Sequence, residues 1–217
     1  SFSLVGSRAA ELRQIHRRAV REGASMKVVS AADVPALLPV LRGISDQWLA
    51  AKSVAEKGFS LGRFDERYLS RFPCAVVEVE GRAVAFANLW IGGDGQEISI
   101  DLMRYDEHAP KGVMDYLLIE LMLWGQQHGH GWFNLGMAPL SGLADREFSP
   151  LWNRVGAFVF RHGEHFYNFE GLREYKEKFH PQWRPRYLAT SGRSALPRVI
   201  MDLTGLIAGS SRRIVMR

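Results

Sequence analysis

The feature that most constrains the fold is a run of three strand-like segments followed by a helix that is apolar on nearly every side. Residues 75–79, 83–90 and 97–103 are rich in strand-forming side chains, and short stretches containing glycine separate them. Because connections of this kind join antiparallel strands, the three segments predict a meander. The helix predicted over Val113–Gln127 has apolar residues on most faces, so we expect it to be buried against the sheet.

The flanking sequence predicts the remaining elements of a mixed α/β domain. A strand-like stretch at 26–29 precedes residues 32–52, where apolar residues recur at helical spacing. After the buried helix, we expect a strand at 132–135, a helix at 150–158 and a further strand at 186–189. This order of elements is typical of the α/β acyltransferase fold, in which helices flank a mixed, mostly antiparallel sheet.

Basic residues are concentrated at both ends of the chain, which carries a formal charge of +5. A helix predicted over residues 7–22, with Ser7 as its N-cap and Gly23 after its end, contains five arginines and two glutamates. The tail after residue 194 combines arginines with apolar residues at helical spacing. Both ends favour a polyanionic partner, RNA or an anionic membrane surface. The alternatives are a solvated connecting helix and a terminal helix packed on its own domain.

The sequence lacks the short motifs of several cofactor classes. It contains neither G-x-G-x-x-G nor G-x-x-x-x-G-K-[ST], which disfavours NAD and ATP. His128 with His130, and His162 with His165, lack the H-E-x-x-H spacing and a neighbouring cysteine, so no metal site is predicted. Cys74, the only cysteine, begins an apolar strand, and we interpret it as a packed thiol rather than a nucleophile. We expect no cofactor.

Asp101 and Arg104 are the candidates for a reactive pair. In a regular strand side chains alternate, so Ile100 and Leu102 would take one face and Asp101 the other. Arg104 would then point away from Asp101, unless the strand ends near Met103 and the chain turns. A carboxylate and a guanidinium at a strand end before a helix are well placed to bind substrate groups, and a structural salt bridge is the alternative.

Residues 165–187, HFYNFEGLREYKEKFHPQWRPRY, interleave aromatic and basic side chains. Such a segment suits a phosphate-rich ligand, because basic groups contact phosphates while aromatic faces stack on bases. The alternative is aromatic core packing beside a solvated basic face.

Five stretches of the sequence point to one family when they are taken together. They are ISIDLMR (98–104), GVMDYLL (112–118), FNLGMAPLSGL (133–143), PLWNRVG (150–156) and FYNFEGLREYKEKFHPQWRPRY (166–187). In their order and length they resemble the C-terminal catalytic region of bacterial phosphatidylglycerol lysyltransferases and alanyltransferases, also called multiple peptide resistance factors.

The resemblance implies a GNAT-like fold, the second of two tandem folds joined by a basic helix, behind an integral-membrane flippase region. It also implies a position on the cytoplasmic face of the cell membrane. We therefore expect residues 1–25 to form the linking helix, 26–193 the acyltransferase domain and 194–217 a basic amphipathic tail. The chain starts at Ser1 without a signal pattern, as an excised segment of a longer protein would, and its longest apolar run is too short to span a bilayer.

The resemblance also implies a reaction and a set of site residues. An aminoacyl group, lysyl or alanyl, would pass from aminoacyl-tRNA to a glycerol hydroxyl of phosphatidylglycerol, reducing envelope negative charge and giving resistance to cationic antimicrobial peptides. Asp101 and Arg104 match the catalytic pair, and Tyr68 matches a further catalytic position. The residues assigned to substrate binding are Lys176, Lys178, Glu170, Tyr167 and Asn134.

Three alternatives to this function remain at the level of sequence. A coenzyme A dependent N-acyltransferase would share the fold, but its Arg/Gln-x-x-Gly-x-Gly/Ala loop is replaced here by RYDEHAPKG at 104–112. A related enzyme would transfer the aminoacyl group to a peptide acceptor. A non-catalytic RNA- or membrane-binding module would depend on the basic ends alone.

Overall fold

The structure is a computed structural model, and it describes residues 2–52, 62–139, 141 and 169–187, with isolated positions between 189 and 202. The helix expected at 150–158, most of the basic tail and Tyr167 lie outside the described residues. The chain divides into two compact units, Ser1–Asn134 with Arg186–Arg217, and Leu135–Pro185, and each is described by itself.

Among the described residues, the first unit holds a five-stranded sheet in the order β1-β2-β3-β4-β5. The strands are β1 (Ala24–Val29), β2 (Cys74–Val79), β3 (Arg82–Ile91), β4 (Glu97–Tyr105) and β5 (Trp132–Asn134). The first four pair antiparallel in succession, and β5 pairs in parallel with β4. The helices of this unit are α1 (Ala10–Arg21), α2 (Val34–Ala51), α3 (Glu66–Leu69) and α4 (Val113–Gln127). This mixed, mostly antiparallel sheet flanked by helices confirms the expected fold class.

Buried side chains pack on both faces of the sheet, as the alternation along β2 shows. Val77 belongs to a cluster that contains Leu117 of α4, whereas its neighbour Val76 belongs to a cluster that contains Leu41 of α2. All four residues are less than 3% exposed. The helix α4 is therefore buried against one face, as its apolar sequence predicted, and α2 covers the other.

The basic helix α1 packs along α4. Its Leu12 is buried, and His16 Nε2 lies 2.6 Å from Glu120 Oε1 on α4. Arg18 Nη2 donates to the carbonyl oxygen of Lys111, just before α4, at 2.7 Å. The helix thus has a packed side as well as its arginine-rich side.

The ends of α1 agree only in part with the sequence. The helix is preceded by a 3-10 turn at Ser7–Ala9 that has Gly6 as its N-cap and no side-chain capping bond, so the predicted Ser7 cap was wrong. Gly23 follows the end of α1 with φ +80°, a left-handed conformation that glycine adopts at little cost.

A β-bulge in β4 determines which side chains share a face of the sheet. Asp101 and Leu102 together oppose the single residue Asn88 of β3, whose Oδ1 accepts a hydrogen bond from the Leu102 backbone N–H at 2.7 Å. The extra residue reverses the alternation, so that Ile100 packs on the α4 side and Leu102 on the α2 side. The predicted common face for Ile100 and Leu102 was therefore wrong.

The prediction of a strand at 186–189 is also wrong, as far as the structure describes these residues. Arg186, Tyr187 and Ala189 are in neither a strand nor a helix. Tyr187 is 88% exposed, so burial does not compensate there for the entropy of ordering an extended segment.

The single cysteine lies in the core. Cys74 on β2 is 1% exposed, and burial raises the pKa of its thiol to about 12. Among the described helices, none combines the length and the apolarity that crossing a bilayer requires.

Two helix glycines provide a test of the packing between α4 and the sheet. A Cβ at Gly125 of α4 would lie 2.9 Å from Ile98 Cδ1, whereas a Cβ at the exposed Gly43 of α2 would meet nothing within 4 Å. We expect Gly43→Ala to raise the free energy of unfolding by about 0.5–1 kcal/mol, because alanine favours a helix over glycine. Gly125→Ala should raise the free energy of unfolding clearly less, or lower it, because the Ile98 side chain must move to make room for the new methyl group. Urea denaturation measures both, and equal gains would contradict the tight packing.

Candidate active site

Tyr68 lies on the short helix α3, which the sequence pattern did not predict. Asp65 caps this helix, because its Oδ1 accepts a hydrogen bond from the Tyr68 backbone N–H at 2.9 Å. The Tyr68 ring packs against Phe72, with 4.9 Å between ring centroids. The hydroxyl donates to Asp101 Oδ2 at 2.9 Å and accepts from Trp90 Nε1 at 2.8 Å.

The carboxylate of Asp101 receives one donor on each oxygen. Tyr68 binds Oδ2, and the backbone N–H of Gly62 donates to Oδ1 at 2.8 Å. An ionised carboxylate offers about four acceptor positions, so these two bonds orient the group and leave acceptor capacity for a ligand. Asp101 is partly exposed, which agrees with access from outside.

Arg104 is buried and held by several contacts. The residue is 7% exposed, and its guanidinium carbon lies 4.1 Å from the centre of the Trp48 ring on α2. Its Nη2 donates to the carbonyl oxygen of Gly62 at 3.0 Å, and its Nη1 donates to that of Met103 at 3.3 Å. A guanidinium stacked on an indole and bonded to carbonyls is a fixed positive charge of low mobility.

Gly62 links the two predicted catalytic residues, because its N–H binds Asp101 and its carbonyl binds Arg104. Its φ of +82° is in the left-handed region that favours glycine. The structure thus brings Tyr68, Asp101 and Arg104 into one connected group. The route differs from the expected one, because β4 continues to Tyr105 and does not end near Met103. Instead the bulge directs Asp101 and Arg104, three residues apart, to the α2 face.

The environment of Tyr68 keeps its hydroxyl protonated. Burial, followed by the hydrogen bond to Asp101 and the charge of that carboxylate, raises the pKa of Tyr68 to about 12. At neutral pH the hydroxyl therefore acts as a hydrogen-bond donor to Asp101 and not as a base.

In the second unit, the helix α5 (Phe169–Glu177) contains two of the predicted substrate-binding residues, Glu170 and Lys176. A third, Lys178, follows directly after the helix. Lys176 is 7% exposed, its Nζ donates to the carbonyl oxygen of Met137 at 2.8 Å, and burial lowers the pKa of its ammonium group. Lys178 Nζ lies 4.5 Å from the centre of the Tyr175 ring. Glu170 belongs to α5, but its side chain, like Tyr167 as a whole, is outside the description.

Asn134, the last predicted position, ends β5 in the first unit. It lies opposite Ser99 of β4, and its Nδ2 donates to Glu97 Oε1 at 3.0 Å. Among the residues that the structure describes, no three His, Cys, Asp or Glu side chains form a group that could hold a metal ion.

Sequence reasoning missed four residues that form this site. Trp48, Gly62, Asn88 and Trp90 contact the predicted group directly or set its geometry. Each lies at least 14 residues from its partner in the chain, so no local spacing in the sequence could indicate the contact. Two tryptophans near the ends of a predicted helix and a predicted strand were the only available signal.

The described residues thus form a mixed sheet that carries a linked carboxylate, phenol and guanidinium on one face. A family model described as "Phosphatidylglycerol lysyltransferase, C-terminal" matches residues 1–190. The chain therefore belongs to the phosphatidylglycerol lysyltransferase C-terminal family.

Individual relatives agree with this assignment. The phosphatidylglycerol lysyltransferase of Bacillus subtilis (strain 168) is 42% identical over 214 residues, which is 98% of this chain and 25% of the relative. That of Staphylococcus xylosus is 36% identical over 189 residues, covering 87% of this chain and 22% of the relative. The chain thus spans about a quarter of the length of the curated relatives that it matches.

Two solved structures are similar over nearly the whole chain. The C-terminal domain of a lysylphosphatidylglycerol synthetase from Agrobacterium fabrum is 43% identical with a TM-score of 0.83, covering 98% of this chain and 63% of that one. L-PGS from Bacillus licheniformis is 42% identical with a TM-score of 0.78, covering 96% of this chain and 62% of that one.

The raised pKa of Tyr68 predicts how stability depends on alkaline pH. Its folded-state pKa of about 12 exceeds the ordinary value of 10.0, so the folded chain holds the proton more tightly than the unfolded chain. The stability gained from this is complete below pH 10 and is lost as the pH rises toward 12. The difference in unfolding free energy between wild type and Tyr68→Phe should be constant up to about pH 9 and shrink above pH 10. Denaturation at several pH values measures it, with Leu117→Ala on α4 as a control that lacks a titrating group and lies in the other core cluster. A pH-independent difference for Tyr68→Phe would contradict the assignment.

Proposed function

We propose that this chain is the catalytic C-terminal part of a tRNA-dependent aminoacyl-phosphatidylglycerol synthase. It transfers an aminoacyl group, lysyl or alanyl, from aminoacyl-tRNA to a glycerol hydroxyl of phosphatidylglycerol. The observation that carries the proposal is the connected group of Asp101, Tyr68 and Arg104 on one face of the sheet in a member of this family.

The reaction exchanges one ester for another. The glycerol oxygen attacks the aminoacyl carbonyl carbon, the bond from that carbon to the ribose oxygen breaks, and the proton of the glycerol hydroxyl ends on the ribose oxygen. Because the ester of the donor and the ester of the product are similar in kind, the step requires no nucleotide hydrolysis. The protein must hold two anionic substrates together and stabilise charge that develops on the carbonyl oxygen.

Asp101 is suited to bind a substrate group that is positively charged or that gives up a proton. Its two fixed donors, the Tyr68 hydroxyl and the Gly62 N–H, orient the carboxylate and leave acceptor positions for the incoming group. In the proposed mechanism it either holds the ammonium of the aminoacyl group or accepts the proton of the attacking glycerol hydroxyl.

Arg104 is suited to the negative charge. Because Trp48 and two backbone carbonyls already fix its guanidinium, its charge is oriented before the substrates arrive. Preorganised charge of this kind stabilises a transition state without reorganising during the reaction. We assign substrate binding, phosphate groups included, to Lys176 with Lys178, Glu170, Tyr167 and Asn134.

The loop after β4 disfavours the coenzyme A alternative. Asp106 in this loop is 3% exposed, forms an ion pair with Arg82 at 2.8 Å and accepts a hydrogen bond from the His108 backbone N–H. The loop that contains this ion pair, RYDEHAPKG at 104–112, lacks the Arg/Gln-x-x-Gly-x-Gly/Ala pattern that a coenzyme A enzyme would require.

The complete protein would supply the remaining parts of the process. We propose an upstream acyltransferase fold and an integral-membrane flippase region, with this chain on the cytoplasmic face of the cell membrane. The basic surface of α1 would attract the two polyanionic substrates, and the product lipid would lower the negative charge of the envelope. Resistance to cationic antimicrobial peptides follows from that change in charge.

Substitution of the reactive pair tests the proposal. In membranes containing the complete protein, incubation with radiolabelled aminoacyl-tRNAs should give labelled phosphatidylglycerol after lipid extraction. Asp101→Asn and Arg104→Lys should each lower kcat/KM about a hundredfold, the typical cost of one lost electrostatic contact. Asp46→Asn on α2 and Arg71→Lys just after α3, exposed changes of the same types, should stay within about twofold.

The acceptor that becomes labelled separates the alternatives. Label in a peptide, or dependence on an acyl thioester, would replace the proposed reaction with one of the other enzyme classes. Full lipid labelling by a folded Asp101→Asn variant would remove Asp101 from the mechanism.

Salt dependence provides a second test. When cationic side chains bind the phosphates of a nucleic acid, they displace counterions from it, and added salt opposes this release. KM for aminoacyl-tRNA should therefore rise steeply as salt increases from about 50 to 200 mM. The rise should be larger for tRNA than for a short aminoacylated acceptor-end oligonucleotide, which has fewer phosphates. A KM that does not change with salt would count against a polyanionic donor.

A further inference from the structure

Trp90 contacts the proposed catalytic group without belonging to it. Its Nε1 lies 2.8 Å from the Tyr68 hydroxyl oxygen, which in turn lies 2.9 Å from Asp101 Oδ2. Trp90 is near the end of β3 and opposite Ser99 of β4, so its backbone is held in the sheet. Its ring also lies 6.4 Å from the ring of Phe72, which contacts Tyr68.

The chemistry of these groups fixes the direction of the hydrogen bonds. An indole N–H donates and cannot accept, so the Tyr68 oxygen must be the acceptor from Trp90. The phenol has a single hydrogen, and Asp101 is its acceptor. Since the pKa of Tyr68 is raised to about 12, that hydrogen stays in place at neutral pH.

The contact also anchors a residue on a weak element. Tyr68 lies on α3, a helix of four residues (Glu66–Leu69) whose own hydrogen bonds give little rigidity. Without the indole, the hydroxyl hydrogen of a tyrosine, which lies close to the ring plane, can point to either side of the C–O axis. With the indole on one side, only the orientation toward Asp101 satisfies both partners.

We propose that Trp90 is a positioning residue of the transfer reaction: its indole N–H directs the Tyr68 hydroxyl onto Asp101, so that the carboxylate presents its remaining acceptor positions to the substrate. This inference rests on the proposed function and deepens it. Trp90 acts through Tyr68 and has no contact with the reacting atoms in this role.

A double-mutant cycle tests this role in the complete protein. Trp90→Phe keeps an aromatic ring and removes the donor, and we expect it to lower kcat about tenfold while KM changes less than twofold. In the Tyr68→Phe background the same substitution should have no further effect, because the hydroxyl through which Trp90 acts is gone. Trp132→Phe, on the partly exposed β5 residue, should leave kcat unchanged in both backgrounds. Equal losses from Trp90→Phe in both backgrounds would overturn the proposal, as would a change in KM alone.

An NMR arm separates this inference from the proposed function and needs no substitution of Trp90. In the 217-residue chain labelled with ¹⁵N, the Trp90 indole N–H signal should exchange slowly with solvent and should shift upfield in Tyr68→Phe, while the Trp132 signal stays in place. An unmoved Trp90 signal would overturn the contact and with it the inference. A wild-type protein that labels no lipid from any aminoacyl-tRNA would instead overturn the proposed function, whatever the spectrum shows.

Discussion

The bulge in β4 is the constraint on which the site depends, and one buried amide stabilises it. An asparagine inside a strand is costly unless it forms hydrogen bonds, and Asn88 is fully buried. Its carbonyl oxygen accepts the Leu102 N–H that the irregular pairing leaves without a regular ladder partner. This places residues 101 and 104 on the same side of the sheet, where regular alternation would separate them. The Asp101 carboxylate can then accept a hydrogen bond from the Gly62 N–H, and the Arg104 guanidinium can donate to the Gly62 carbonyl oxygen.

Local sequence signals were sufficient for the scaffold. The predicted helix at 113–127 has the observed bounds, because its apolar residues and the preceding Gly112 mark it clearly. The strands of the meander were placed to within two residues, since alternating patterns and glycine turns are local properties. The short helix α3 lacks a periodic pattern of useful length, and the strand expected at 186–189 had strand-forming residues but no partner to cover them.

The site was predictable only in part, for a physical reason. Asp101 and Arg104 were found from their types and from a resemblance, but alternation alone argued that they point apart. Their meeting depends on Asn88, Gly62 and Trp48, which are 13 to 56 residues away from them in the chain. Contacts at such separations follow from the packed fold and from no periodicity. The buried, stacked guanidinium is the clearest example, because an arginine in a strand sequence is ordinarily expected at the surface.

Cys74 has a practical consequence for experiments on this protein. Maleimides and similar reagents attack the thiolate, which an inaccessible sulfur with a pKa of about 12 scarcely forms at neutral pH. A cysteine introduced on an exposed helix would therefore be the single reactive thiol of the folded chain. Fluorophores or spin labels can be attached at chosen positions without first deleting the native residue and disturbing the core. The native sequence thus already provides a background for distance measurements between the two compact units.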